Sequence, residues 1–155
     1  MTYLAPGVYV EEVPSAIKPI AGVGTSTAGF VGVCADIADA DMPLKTADTH
    51  YKQAAQLTPQ AINSWSEFTQ KFGGIQQASQ YLAHAVYGFF NNGGTRCWVN
   101  RVAELKDIGK AIDQFKDIDE IAIVAAPLDP QTPAKALNDV QAKLVAHCQL
   151  MEDRV

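Results

Sequence analysis

The first residues with a spacing that could do chemistry form a glycine-rich run, "GVGTSTAGFVG", from Gly22 to Gly32. Gly24 and Gly29 have the separation of a phosphate-binding loop, G-x-x-x-x-G. Phe30 and Val31, however, stand where a lysine and a hydroxyl residue would hold phosphate and magnesium. A dinucleotide fingerprint needs a third glycine three residues after Gly24, and Thr27 is there instead. Gly22 and Gly24 also precede a strand pattern rather than follow it, the wrong end for an anion site at a helix start. They read as a flexible hinge.

The other reactive side chains give no constellation. Of the imidazoles, His84 lies in a helical pattern and His147 abuts Cys148. Adjacent helix positions point about 100° apart, so that last pair is poorly placed to share a metal. His50 has no ligand-spaced neighbour, and neither His-x-x-x-His nor Cys-x-x-Cys occurs. No serine sits in G-x-S-x-G, and Ser64 has a helix-capping role. Asp36, Asp39, Asp41 and Asp48 lack the glycine of a calcium loop and read as a solvated acidic face. Cys34, Cys97 and Cys148 each fall in an apolar pattern and read as buried free thiols. Catalytic, cofactor-binding and metal-binding residues are therefore all expected to be none.

The elements that would position any site belong to one α/β domain. The chain has 155 residues, 48% of them apolar and 19% charged, enough to bury a real core. A net charge of −5 argues against nucleic acid or an anionic membrane as the main partner. The longest apolar runs, near Ala28–Ala35 and Ile121–Pro127, are too short to span a bilayer. No charged leader followed by an apolar run opens the chain, so folding in the cytoplasm is expected.

Gly22–Ala35 ends in a strand whose Gly29 and Gly32 would admit another backbone. Residues 36–56 lack a period and read as a long surface loop, with a helical turn near Tyr51–Gln56. "LTPQAIN" is a short extended piece. In "SWSEFTQKFGG", Ser64 and Glu67 make a capping box and Gly73 a left-handed stop. A helix over 77–91 carries Leu82, Val86, Phe89 and Phe90 on one face and ends at Gly93-Gly94. Thr95–Val102 is a strand with Cys97 and Val99 on one face, Trp98 and Val102 on the other. "ELKDIGKAIDQFKDI" is an amphipathic helix on Ile108, Ala111, Ile112 and Phe115. "EIAIVAAP" is a strand covered on both sides. In the last helix Thr132 is the cap and Pro133 falls in the first turn, with Leu137, Val140 or Gln141, Leu144, Cys148 and Met151 inward.

Strand, helix, buried strand, helix predicts an α/β fold with a mixed, partly parallel sheet and flanking helices. "MEDRV" comes where a further strand is due, so the fold is expected to be incomplete at the carboxy terminus. Either more protein follows Val155 or a neighbour supplies a strand.

Residues 1–21 form a separate unit, an extended amino-terminal arm ahead of the core domain at 22–155. Pro6, Pro14 and Pro19 each remove a backbone donor and disfavour helix before them. Between them "LAPGVYVEEV" alternates like a strand, Val8 and Val10 to one side, Tyr9 and Glu11 to the other, without a nearby hairpin partner. Such a segment (Pro6, Gly7, Val8, Tyr9, Val10, Glu11, Glu12 and Val13) is a donor for strand addition to another chain.

Motifs in order along the chain carry a resemblance: "PGVYVEE", "IAGVGTSTAGFVG", "SWSEFTQKFGG", "YLAHAVYGFFNNGGTRCWVNRV" and "DIDEIAIVAAP". With these the sequence resembles the tail sheath proteins of contractile phages and related contractile injection systems. That resemblance implies a structural subunit, not an enzyme. Its partners would be other copies of itself in a helical sheath, the inner tube protein, and baseplate and terminator or cap proteins. It implies no nucleic acid and no membrane insertion. Assembly would take place in the bacterial host cytoplasm, and the product would be a virion tail or an extracellular or cell-associated injection particle. Sheath chains are much longer and continue through a region that completes the core domain. The readings that compete with this one are a small α/β nucleotide-binding domain or enzyme, and a non-polymerising sheath-related adaptor.

Overall fold

The structure is a computed structural model that describes residues 27–36, 53–77 and 79–155. Four strands form one sheet: β1 (Ala28–Val33), β2 (Gln60–Ile62), β3 (Cys97–Val102) and β4 (Ile123–Ala125), in the spatial order β2-β3-β1-β4. β1 is central and pairs in parallel with β3 and with β4, while β2 runs antiparallel on the far edge of β3. The expected mixed, partly parallel sheet is the one observed.

Alternation along β1 and β3 divides the core between two faces. On the first, Ala28, Phe30, Cys97 and Val99 pack with Ile62 against α1 (Trp65–Phe72) and α2 (Gln80–Asn91), chiefly Phe68, Phe72, Leu82 and Val86. On the second, Val31, Val102 and Val124 pack against α3 (Ile108–Asp113), the short 3-10 turns that flank it, and α4 (Ala134–Met151). Ile108, Ala111, Ile112 and Phe115 are all buried, as their spacing predicts, although the expected single helix is broken into a 3-10 turn, α3 and a second 3-10 turn. Cys97 and Val99 face α1 and α2, and Trp98 and Val102 face the opposite layer.

Gly29 and Gly32 do admit close neighbours, but these are helix-layer side chains, not another backbone. A Cβ on Gly29 would lie 2.8 Å from the Phe115 ring, and one on Gly32 2.8 Å from Leu82 Cβ. The missing side chains let both helix layers sit tightly on β1.

Local sequence sets the helix ends with some shifts. Ser64 Oγ accepts the Glu67 amide at 3.1 Å, but Glu67 reaches back to the amide of Asn63 at 2.9 Å, one residue beyond the expected box. Gly73 takes the left-handed conformation that stops α1, and its N–H bonds Thr69. α2 begins later than expected because Ser79 Oγ turns away to donate to the Gly74 carbonyl, 2.8 Å. Thr132 does not cap α4: Pro133 occupies the cap position, and no side chain satisfies the first amides. Within α4, Val140 is buried and Leu137, Leu144, Cys148 and Met151 are half-buried, the expected inward face, to which the structure adds the buried His147 and from which it leaves Gln141 exposed.

The β4 edge also departs from expectation. Val124 is buried, but on the other face Ile123 is 41% exposed while Ala125 packs against the α1 and α2 layer, so among the described residues β4 is only partly covered on that side. Val155 lies alongside: its N–H donates to Ala122 at 3.0 Å and its carbonyl accepts from Val124 at 2.7 Å, the pattern of a parallel pairing opposite Ile123.

Candidate functional site

The described residues meet in a crevice at the carboxyl ends of β1 and β4. The helices between β1 and β3, α1 and α2, lie on one face of the sheet, and the helix after β4, α4, lies on the opposite face. Adjacent parallel strands whose connections leave to opposite sides open a gap between them, the usual ligand position in open α/β sheets. Here the gap is a cavity of about 300 Å³. Its walls are apolar, from Val33 at the end of β1, Leu105 after β3, and Pro127 and Leu128 after β4.

Its polar groups come from two helix starts: Gln77, Gln80 and Tyr81 at the head of α2, Asp129 and Thr132 ahead of α4. Asp129 is held in a turn, its Oδ1 accepting the Gln131 amide at 2.7 Å and its carbonyl accepting that of Thr132 at 2.9 Å. Partial burial and the neighbouring Asp129 carboxylate together push the Tyr81 phenol above its ordinary pKa. Neither helix start has a side-chain cap, so first-turn amides of α2 and α4 are left without that partner. Among the described residues, no lysine, arginine or histidine lines the cavity.

The sequence-level candidates lie elsewhere. Pro6, Gly7, Val8, Tyr9, Val10, Glu11, Glu12 and Val13, with the hinge residues Gly22 and Gly24, fall outside the described residues, as do His50, Asp39, Asp41 and Asp48. Gly29, the second glycine of the loop-like spacing, is inside β1 against Phe115 and Ile121 and cradles nothing. His84 is exposed on α2, whereas His147 is buried with both ring nitrogens unpartnered among the described residues. Burial, reinforced by Arg154 and Lys116, pushes the His147 pKa down. Burial also raises the Cys34 thiol to about 11 and that of Cys97 to about 12, so neither supplies a thiolate near neutrality. Among the described residues no group of three or more His, Cys, Asp or Glu is placed to hold a metal ion, and no helix is long and apolar enough to cross a membrane.

The crevice went unseen in the sequence because its members come from four separate connections, each an ordinary loop by itself.

Neither a protein-family model nor a curated protein sequence matches the chain. Solved structures do. A chain of the anti-feeding prophage helical sheath in its contracted state superposes over 94% of this chain with a TM-score of 0.55 and 23% identity. A chain of the contracted baseplate of the same particle superposes over 99% with a TM-score of 0.54 and 19% identity. This chain spans only 36% and 39% of those two chains, well under half of their length. At such identities the likeness is one of fold. The resemblance carried by the motifs thus holds in three dimensions, as a likeness of fold to components of a contractile injection system.

Proposed function

We propose that the chain is a structural subunit of a contractile tail sheath, packed helically around an inner tube and shortening to drive that tube through a target cell envelope. The observation that carries this reading is the superposition on the anti-feeding prophage sheath over 94% of the chain, along which the sheath-like motifs run in order. In this reading the protein is not an enzyme and takes no cofactor. It assembles in the bacterial cytoplasm and ends in a virion tail or injection particle, meeting tube, baseplate and cap proteins. The arm at 1–21 adds Pro6–Val13 as a strand to a neighbouring copy, and Gly22 and Gly24 let the core domain turn while the arm stays attached. One arm is a poor fastener, because ordering about ten residues at roughly 1–2 kcal/mol each offsets its backbone bonds. Many arms in a closed lattice hold by multivalency.

The baseplate superposition, over 99% of the chain, favours a second reading, a sheath-related adaptor that does not polymerise. Electron microscopy of the purified chain, alone and lacking residues 1–21, separates the two. Helical tubes or rings from the whole chain and folded monomers from the truncation are the expected result. Tubes that persist without the arm overturn its linking role, and a whole chain that never oligomerises at high concentration favours the adaptor.

A further inference from the structure

The crevice between β1 and β4 has a shape and charge that the sheath reading does not use. Its roughly 300 Å³ is at the small end of ligand pockets, room for one large side chain more than for a dinucleotide. The walls from Val33, Leu105, Pro127 and Leu128 suit an aliphatic stem. Its polar lining has one carboxylate, Asp129, and the Tyr81 ring, with the amide groups of Gln77 and Gln80 and, among the described residues, no cationic side chain. We propose that this crevice receives an arginine side chain from a partner protein, its guanidinium against Asp129 and the Tyr81 ring, its stem along the apolar walls.

Arginine fits better than lysine because a planar guanidinium can stack on an aromatic face and bond a carboxylate and an amide oxygen at once. The two uncapped helix starts carry partial positive charge, which by itself favours an acceptor. Those amides suit the backbone carbonyls that accompany a side chain on a peptide. Buried arginine anchors in apolar sockets are typical of strong points in protein interfaces.

The test is an NMR titration of the isotope-labelled 155-residue chain with acetyl-Gly-Arg-Gly-amide. Saturable millimolar shifts confined to Val33, Gln80, Tyr81, Leu105 and the 128–132 turn are expected. Replacing arginine by citrulline, which keeps shape and loses charge, weakens binding about threefold or more, as for a partly exposed ion pair. Asp129→Asn does the same while keeping an oxygen for the Gln131 amide. Agmatine, the same cation without a peptide, binds more weakly than the tripeptide. Equal affinity for the citrulline peptide, an unaffected Asp129→Asn variant, shifts elsewhere or none at all overturns the site. Agmatine matching the tripeptide overturns the protein source. Each result is independent of whether the chain forms tubes.

Discussion

The buried guanidinium of Arg101 lies 2.8 Å from the carboxylate of Asp36, which is itself largely exposed. The same group donates to the carbonyls of Cys34 and Ala54, and Leu57 N–H returns a bond to the Arg101 carbonyl. Gln53 and Gln56 add bonds to Ala35 and Asp36. One side chain on β3 therefore fastens both ends of the long connection that leaves β1 after Cys34 and returns at Gln53. The hydrogen bonds from Arg101, then Gln56, hold the Asp36 carboxyl below the usual range.

Arg101→Met should lower stability by roughly 3–5 kcal/mol, because it strands two carbonyls and removes the buried charge's network. Asp36→Asn should cost under about 1 kcal/mol, since that carboxylate is mostly in water. Chemical denaturation of both variants checks the contrast, and equal losses would show that the carbonyl bonds are not what matters.

Gly29→Ala should destabilise by roughly 1–3 kcal/mol through overpacking, because its Cβ would meet the Phe115 ring at 2.8 Å. Combining it with Phe115→Leu should recover part of the loss that the two single changes would sum to. Strict additivity in the double-mutant cycle would place the strain elsewhere.

Stability should fall on mild acidification because of His147. Its folded pKa is lowered, first by burial and then by Arg154 and Lys116, against the opposing pull of Asp113 and Asp153. The unfolded chain therefore takes up the proton first. The contribution is complete above the ordinary histidine value and is lost as pH drops through it toward the folded pKa. His147→Leu should flatten this part of a stability–pH profile. The loss near pH 4 and below should remain, since it belongs to Asp36, Glu67, Asp107 and Asp153, all with lowered pKa values.

Thiol labelling should distinguish the cysteines. Cys34 and Cys97 are fully buried with raised pKa values, while Cys148 is half-buried on α4. Brief alkylation of the native protein at pH 8 should modify Cys148 alone by mass spectrometry, and unfolding should release the others. Rapid native labelling of Cys97 would show that α1 and α2 open readily.

Much was determined by the sequence alone, and for one physical reason: periodicity and caps act within a few residues. The inward set Ile108, Ala111, Ile112 and Phe115, the Ser64 cap, the Gly73 stop and the opposed faces of β3 all follow from local spacing. The tertiary structure decided whatever depends on distant partners. Arg101 looked like an ordinary strand charge until its bonds to residues 47 and 67 positions away were known. His147, set beside Cys148 on paper, is in the core because α4 rotates to bury Val140 against α3. Ile123 is 41% exposed although Ala125, two residues on along β4, packs against the α1 and α2 layer. The crevice exists only because β1 and β4, some ninety residues apart in the chain, are neighbours whose following helices lie on opposite faces of the sheet.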